Sequence, residues 1–227
     1  MTPAAAIGST AADCKDLATL YAEIEAYYTA KVVKFGATPL GVDWSCLPTQ
    51  ELRFVQLLKL CDFRSAFSIN DLGCGYGALL PYLERRHAGC PIDYVGVDLS
   101  QAMLRRARRL WRGRSNVSFV HGHASPRLAD YSVASGIFNV QTNQPRDAWE
   151  RFVAETLDQL HRTSRRGFSV NFMKAPAAGT PDRKGLYSTE PERWAGYCAA
   201  QFGSATELLD GYGLREFTLI VRPSVSI

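Results

Sequence analysis

Apolar residues recur along this chain at two different spacings. In the first sixty residues they step by three and four: Leu17, Leu20, Tyr21, Ile24, Tyr27 and Tyr28 form one apolar face, the signature of an amphipathic helix. The Gly/Pro-containing stretch FGATPLGVDWSCLP reads as a loop, and Pro48 and Thr49 then open a second helix, TQELRFVQLLKLC. From residue 67 short strands and helices alternate. FSIND, DYVGVDL, VSFVHG, YSVASGIFNV and GFSVNFM read as strands. ALLPYLERRH, QAMLRRARRLW, PRDAWERFVAETLDQLH and PERWAGYCAAQF read as helices. The end, ATELLDGYGLREFTLIVRP, reads as two strands around Gly211 and Gly213. Such alternation predicts an α/β doubly wound fold with a mostly parallel seven-stranded sheet, one antiparallel edge strand from the closing hairpin, and an N-terminal helical cap. Residues 1–62 form the cap and 63–227 the main domain in this reading.

Composition narrows the class. Hydrophobic residues make up 46% of the 227 and charged residues 21%, which excludes a disordered or low-complexity chain. No apolar run approaches the roughly 20 residues of a membrane span. MTPAAAIGSTAADCKD lacks a basic segment followed by an apolar one, so it reads as a frayed tail rather than a signal peptide. The six cysteines, Cys14, Cys46, Cys61, Cys74, Cys90 and Cys198, show neither CxxC nor zinc-ligand spacing, and free thiols in a cytoplasmic protein are expected. The net charge of +4 is mild, well short of a dedicated nucleic-acid binder.

Ligands of doubly wound sheets bind beyond the carboxyl ends of the strands, so strand ends are where chemistry is sought. The first carries Asp71-Leu72-Gly73-Cys74-Gly75-Tyr76-Gly77-Ala78. Glycines between a strand and a helix let a ligand approach the backbone, and the helix start favours an anionic group. A carboxylate at Asp71 is poorly suited to a diphosphate neighbour. It suits a ligand carrying an ammonium and a carboxylate together, as an amino acid does. Gly73, Gly75 and Ala78 also satisfy the dinucleotide fingerprint Gly-x-Gly-x-x-Gly/Ala, which leaves NAD or NADP open from the spacing alone. The second strand delivers Asp98, about twenty residues on, where a carboxylate can accept from both hydroxyls of a ribose.

The Asp71–Gly77 stretch resembles the acid-x-Gly-x-Gly-x-Gly motif of the class I, Rossmann-like methyltransferases that use S-adenosylmethionine (SAM). With FGATPLGVDW, TQELRF and ASGIFNV, the chain from about residue 25 onward is similar to a bacterial subgroup of unassigned substrate. The resemblance implies a cofactor site of Asp71, Gly73, Cys74, Gly75, Gly77, Asp98, Leu99, Met103, Gly122, His123 and Ser135, with S-adenosylhomocysteine (SAH) as product. His123 stands where the family often has an Asp against adenine. Ser135-Gly136-Ile137-Phe138-Asn139 replaces the [DNS]-Pro-Pro-[YFW] of enzymes that methylate amino groups of DNA bases, which points away from that group.

Residues ahead of the first strand commonly cover the SAM pocket in this superfamily. Tyr28, Trp44, Arg53, Phe138 and Asn139 are therefore candidates for the acceptor site, with Gly41, Val42 and Asp43 beside Trp44. Arg53 could pair with a ligand carboxylate, although a surface salt bridge is the commoner use of an arginine. His121 and His123 are the available types for a general base. Without a third ligand they make no metal site. Arg105, Arg106, Arg108, Arg109, Arg112 and Arg114 crowd one helix, with Met103, Ala107, Leu110 and Trp111 as its buried stripe and the arginines as a solvated face. Phe172 to Tyr187 follows a strand end as a candidate lid.

The expected activity is methyl transfer from SAM to an O or N atom of a small molecule, with neither membrane nor nucleic acid as partner. The alternatives are an NAD(P)-dependent oxidoreductase, a non-catalytic SAM-fold binding subunit, and an RNA or protein methyltransferase using the arginine helix.

Overall fold

The computed structural model describes residues 11–176 and 184–223, with side chains from residue 17 onward. The frayed-tail expectation, the Cys14 thiol and part of the candidate lid lie outside the described residues. The order of elements is α1 (Ala11–Phe35), α2 (Leu47–Leu57), β1 (Phe67–Leu72), α3 (Leu79–Arg86), β2 (Ile92–Asp98), α4 (Gln101–Leu110), β3 (Val117–His121), β4 (Ala129–Ala134), α5 (Arg146–Arg162), β5 (Ser164–Met173), α6 (Pro191–Phe202), β6 (Ala205–Leu209) and β7 (Glu216–Arg222).

The strands form one seven-stranded sheet in the order β3-β2-β1-β4-β5-β7-β6. β1 to β5 pair in parallel, and β7 runs antiparallel to both of its neighbours. The antiparallel strand thus sits one place in, with β6 outermost. Burial explains the order. EFTLIVR carries Phe217, Leu219, Ile220 and Val221 and is buried from Glu216 to Val221, as a strand covered on both faces must be. ATELL is exposed or half-buried throughout.

Period-two alternation on β5 divides the two layers. Phe168, Val170 and Phe172 point into the core under α1, α5 and α6, with Trp149 and Trp194. Ser169 and Asn171 point to the opposite face, which α2 and α3 cover with Phe54, Leu57 and Leu79. Ser169 Oγ there donates to the Leu57 carbonyl at 2.8 Å, so the polar face of β5 is buried but satisfied. Leu20 and Ile24 of α1 belong to the same buried cluster as the strands. On α4 the buried stripe is Ala102, Met103, Leu104 and Ala107. Leu110, expected within it, is 57% exposed, because the helix ends there and turns away from the sheet.

β2 and β3 succeed β1 on one side, while β4 and β5 succeed it on the other. The order reverses between the carboxyl ends of β1 and β4, where such sheets leave a crevice.

Candidate active site

The crevice is a cleft lined by the carboxyl ends of β1, β2 and β4 and by residues of α1, α2 and α5. The sheet supplies its floor, and α1 and the turn before α2 its roof. The turn from β1 to α3 is pinned to β2: Gly73 and Cys74 both donate their N–H to the Val97 carbonyl, at 2.8 and 3.0 Å. That path needs positive φ at Gly73 (73°) and Gly75 (56°). A Cβ at Gly73 would stand 2.2 Å from Ile137 Cγ2, so any side chain there would push the loop after β4 out of place.

Asp98 closes the other side of this turn. Its Oδ2 accepts the Gly75 N–H and its Oδ1 the Ser100 N–H, both at 2.8 Å. The two backbone bonds fix the carboxylate plane and leave further lone pairs toward the cleft. Burial pushes Asp98 up to about 6, with the backbone bonds and His121 opposing. Ser100 in turn caps α4, its Oγ accepting the Met103 N–H at 3.2 Å. Asp71 is 4% exposed and accepts the Tyr94 hydroxyl at 2.6 Å. Burial raises it to about 7 against that bond, and the charge on Asp98 adds to the rise.

α1 lies across the cleft with Tyr21, Ile24, Glu25 and Tyr28 facing in. Tyr21 stacks on His123, ring centroids 4.4 Å apart. The Tyr28 phenol is held far above its ordinary value by burial. The turn Pro39–Val42 is tied to α1 through Asp43, in the left-handed region at φ 63°, which accepts hydrogen bonds from Tyr27 and Lys31. This holds Val42 against Gly75 of the glycine turn and Trp44 against Gly136 beyond β4. Trp44 is clamped from two sides. The Arg53 guanidinium lies 3.7 Å from its ring centroid. Gly136 lies against its edge, so close that a Cβ would stand 2.2 Å from the ring.

Of the expected cofactor residues, Asp71, Gly73, Cys74, Gly75, Asp98, Leu99, Met103, Gly122, His123 and Ser135 line the cleft, as do Tyr28, Val42 and Trp44. Gly77 does not: the space beside it is filled by Trp111 and Phe119. Phe138 and Asn139 are corrections to the acceptor set. Phe138 is fully buried, stacked on Phe172, and its carbonyl accepts the Trp149 indole N–H. Asn139 is buried behind it, its backbone paired with Gly136 and Tyr187. Arg53 is a third correction. It makes a bidentate pair with Glu216, both buried, and donates to the Thr49 carbonyl at 2.7 Å. Asn171 extends that network, donating to Glu216 and accepting the Gly136 N–H, each at 2.8 Å. His121 is exposed outside the cleft, with a ring nitrogen 2.9 Å from the Leu99 carbonyl. No group of three or more metal-ligating side chains assembles among the described residues.

Sequence reasoning missed Tyr21 and Glu25 as site residues, although the apolar face of α1 contained the first. It also missed Gln50 and Phe54 on α2 and Thr156 on α5, all on the cleft. Nothing local marks these. Their helices must first be docked.

Residues 69–167 match a family model described as a methyltransferase domain. A Mycobacterium tuberculosis protein, Rv1506c, named as a candidate methyltransferase, is 42% identical over 165 residues, covering 73% of this chain and 98% of that protein. Among solved structures, a DhpI–SAH complex superposes with a TM-score of 0.60 at 16% identity, covering 91% of this chain and 98% of the other. Human N-acetylserotonin methyltransferase in complex with SAM gives 0.56 at 13% identity, over 89% of this chain and 56% of that one. An O-methyltransferase family protein from Burkholderia thailandensis gives 0.59 at 17%, over 79% and 57%. These solved structures share the fold. The cleft between β1 and β4, its glycine turn and acidic strand ends, and the identity across nearly the whole of the mycobacterial relative lead to one assignment: the chain belongs to the class I SAM-dependent methyltransferases.

Proposed function

We propose that the cleft binds SAM and that the protein transfers its methyl group to an O or N atom of a small molecule in the cytoplasm. When bound, the cofactor supplies a methyl group already activated on a sulfonium. Asp98 would accept from the ribose hydroxyls, with Leu99, Met103, Gly122 and His123 around the adenine. Asp71 would face the ammonium of the methionyl group. Tyr28, Val42 and Trp44 would roof the sulfonium and hold the acceptor, so positioning and exclusion of water carry most of the rate. A hydroxyl acceptor must lose a proton on the way, and His123 is the one imidazole on the cleft.

The observation that carries this reading is Asp98, held by the Gly75 and Ser100 N–H groups inside the glycine turn. Calorimetry with SAM, SAH and NAD in parallel tests it. Micromolar binding of the first two without the third is expected, followed by an acceptor screen that reads SAH release. Binding of NAD alone would overturn it.

A further inference from the structure

Two side chains on the cleft, Ser135 and Gln50, keep a buried polar atom without a hydrogen-bond partner; Ser135 is among the residues expected to hold the cofactor, whereas Gln50 has no place in this scheme. Gln50, in the first turn of α2, is 2% exposed and lines the cleft beside Trp44 and Phe54. Its Oε1 is buried without a hydrogen-bond partner, while the side chain also faces the Tyr76 phenol. Buried carbonyl oxygens are rarely left orphaned, and a site residue in that state awaits a donor. The surrounding walls, Val42, Trp44, Phe54 and Leu79, are apolar. No Lys or Arg lines the cleft among the described residues. Arg53, the nearest arginine to Trp44, is neutralised by Glu216. A carboxylate or phosphate on the acceptor would therefore enter without a Lys or Arg side chain to meet it.

Resting on the function proposed above, we infer that Gln50 selects the acceptor: an uncharged, aromatic-sized molecule that presents an O–H or N–H to Gln50 Oε1 with its ring against Trp44. An amide takes no proton at this pH, so Gln50 is a specificity residue rather than a base. A site built around one such hydrogen bond discriminates strongly against an analogue without the donor.

The test uses three probes sharing one ring system: naphthol, methoxynaphthalene and naphthoate. Each is titrated into the full chain saturated with SAH. Naphthol should bind about tenfold more tightly than either of the others, equivalent to about 1.4 kcal/mol. Gln50→Met should erase the preference for naphthol over methoxynaphthalene and leave SAH affinity within about twofold. Gln50→Glu, which keeps an acceptor oxygen, should retain the preference. Equal binding of the three probes, no binding of any, or preference for naphthoate overturns the inference. So does a Gln50→Met variant that keeps the preference or loses SAH, the latter placing Gln50 on the cofactor. Failure of the unaltered protein to bind SAH would instead sink the cofactor reading beneath it.

Discussion

Asp71 and Asp98 are buried acids whose proton affinities oppose the role proposed for them. The native Asp71 holds its proton up to about 7, where the ordinary value is 3.8. An acid raised in this way favours the folded state fully below about 3.8, and the contribution is lost as pH rises through about 7. An ammonium beside Asp71 needs the carboxylate, so SAM affinity should move the other way. Calorimetry should show binding weaken as pH falls through about 7, and Asp71→Asn should weaken binding and move the onset of that slope down to about 6, where Asp98 takes its proton. Asp98→Ala should lower SAM affinity by more than about tenfold while circular dichroism stays native; unchanged affinity would misplace the ribose. Both acids were legible in the sequence because each ends a strand, and strand ends converge in this fold. Gln50 and Glu25 were not, since an isolated glutamine or glutamate on a helix carries no sign of what its helix will cover. Arg53 was ambiguous until Glu216, 163 residues along the chain, was brought beside it.

Among the elements, α2 is held against β5 and β7 by a polar network as well as by Phe54 and Leu57. Arg53, Glu216 and Asn171 join α2, β7, β5 and the Gly136 turn in one buried chain of bonds. Removing one charge strands the other, so Glu216→Ala should cost about 3–5 kcal/mol in urea unfolding. Arg53→Met with Glu216→Leu should recover most of that loss; a double variant as unstable as the single would mean that the contacts, and not the stranded charge, were lost. Elements with a clean period were readable: the three- and four-residue steps of α1 marked the face that carries Leu20 and Ile24 into the core. The rank of β7 and β6 was carried by composition, EFTLIVR against ATELL, a weaker cue than strand order in the chain. Leu110 was misread because helical periodicity does not say where the supporting sheet stops.

For the molecule as a whole, cofactor and stability are linked. At a SAH concentration about a hundredfold above Kd, a ligand that binds only the native state adds about 2.7 kcal/mol. For a chain of this length that is a rise in Tm of roughly 5–10 °C. A thermal melt should show it with SAH and not with NAD at equal concentration. The doubly wound architecture was the most legible property of all, since it follows from the order of strands and helices rather than from any one residue. The roof was the least, because it depends on the angle at which α1 crosses the cleft.

That crossing has a consequence for biosynthesis. α1 leaves the ribosome before any strand it will rest on, yet Leu20 and Ile24 end in the cluster built by β2, β4, β5 and α5. The nascent helix carries Leu20 and Ile24 uncovered until β4, α5 and β5 have emerged. The step from an open sheet to a roofed cleft is where bound cofactor would speed the maturation of a newly made molecule.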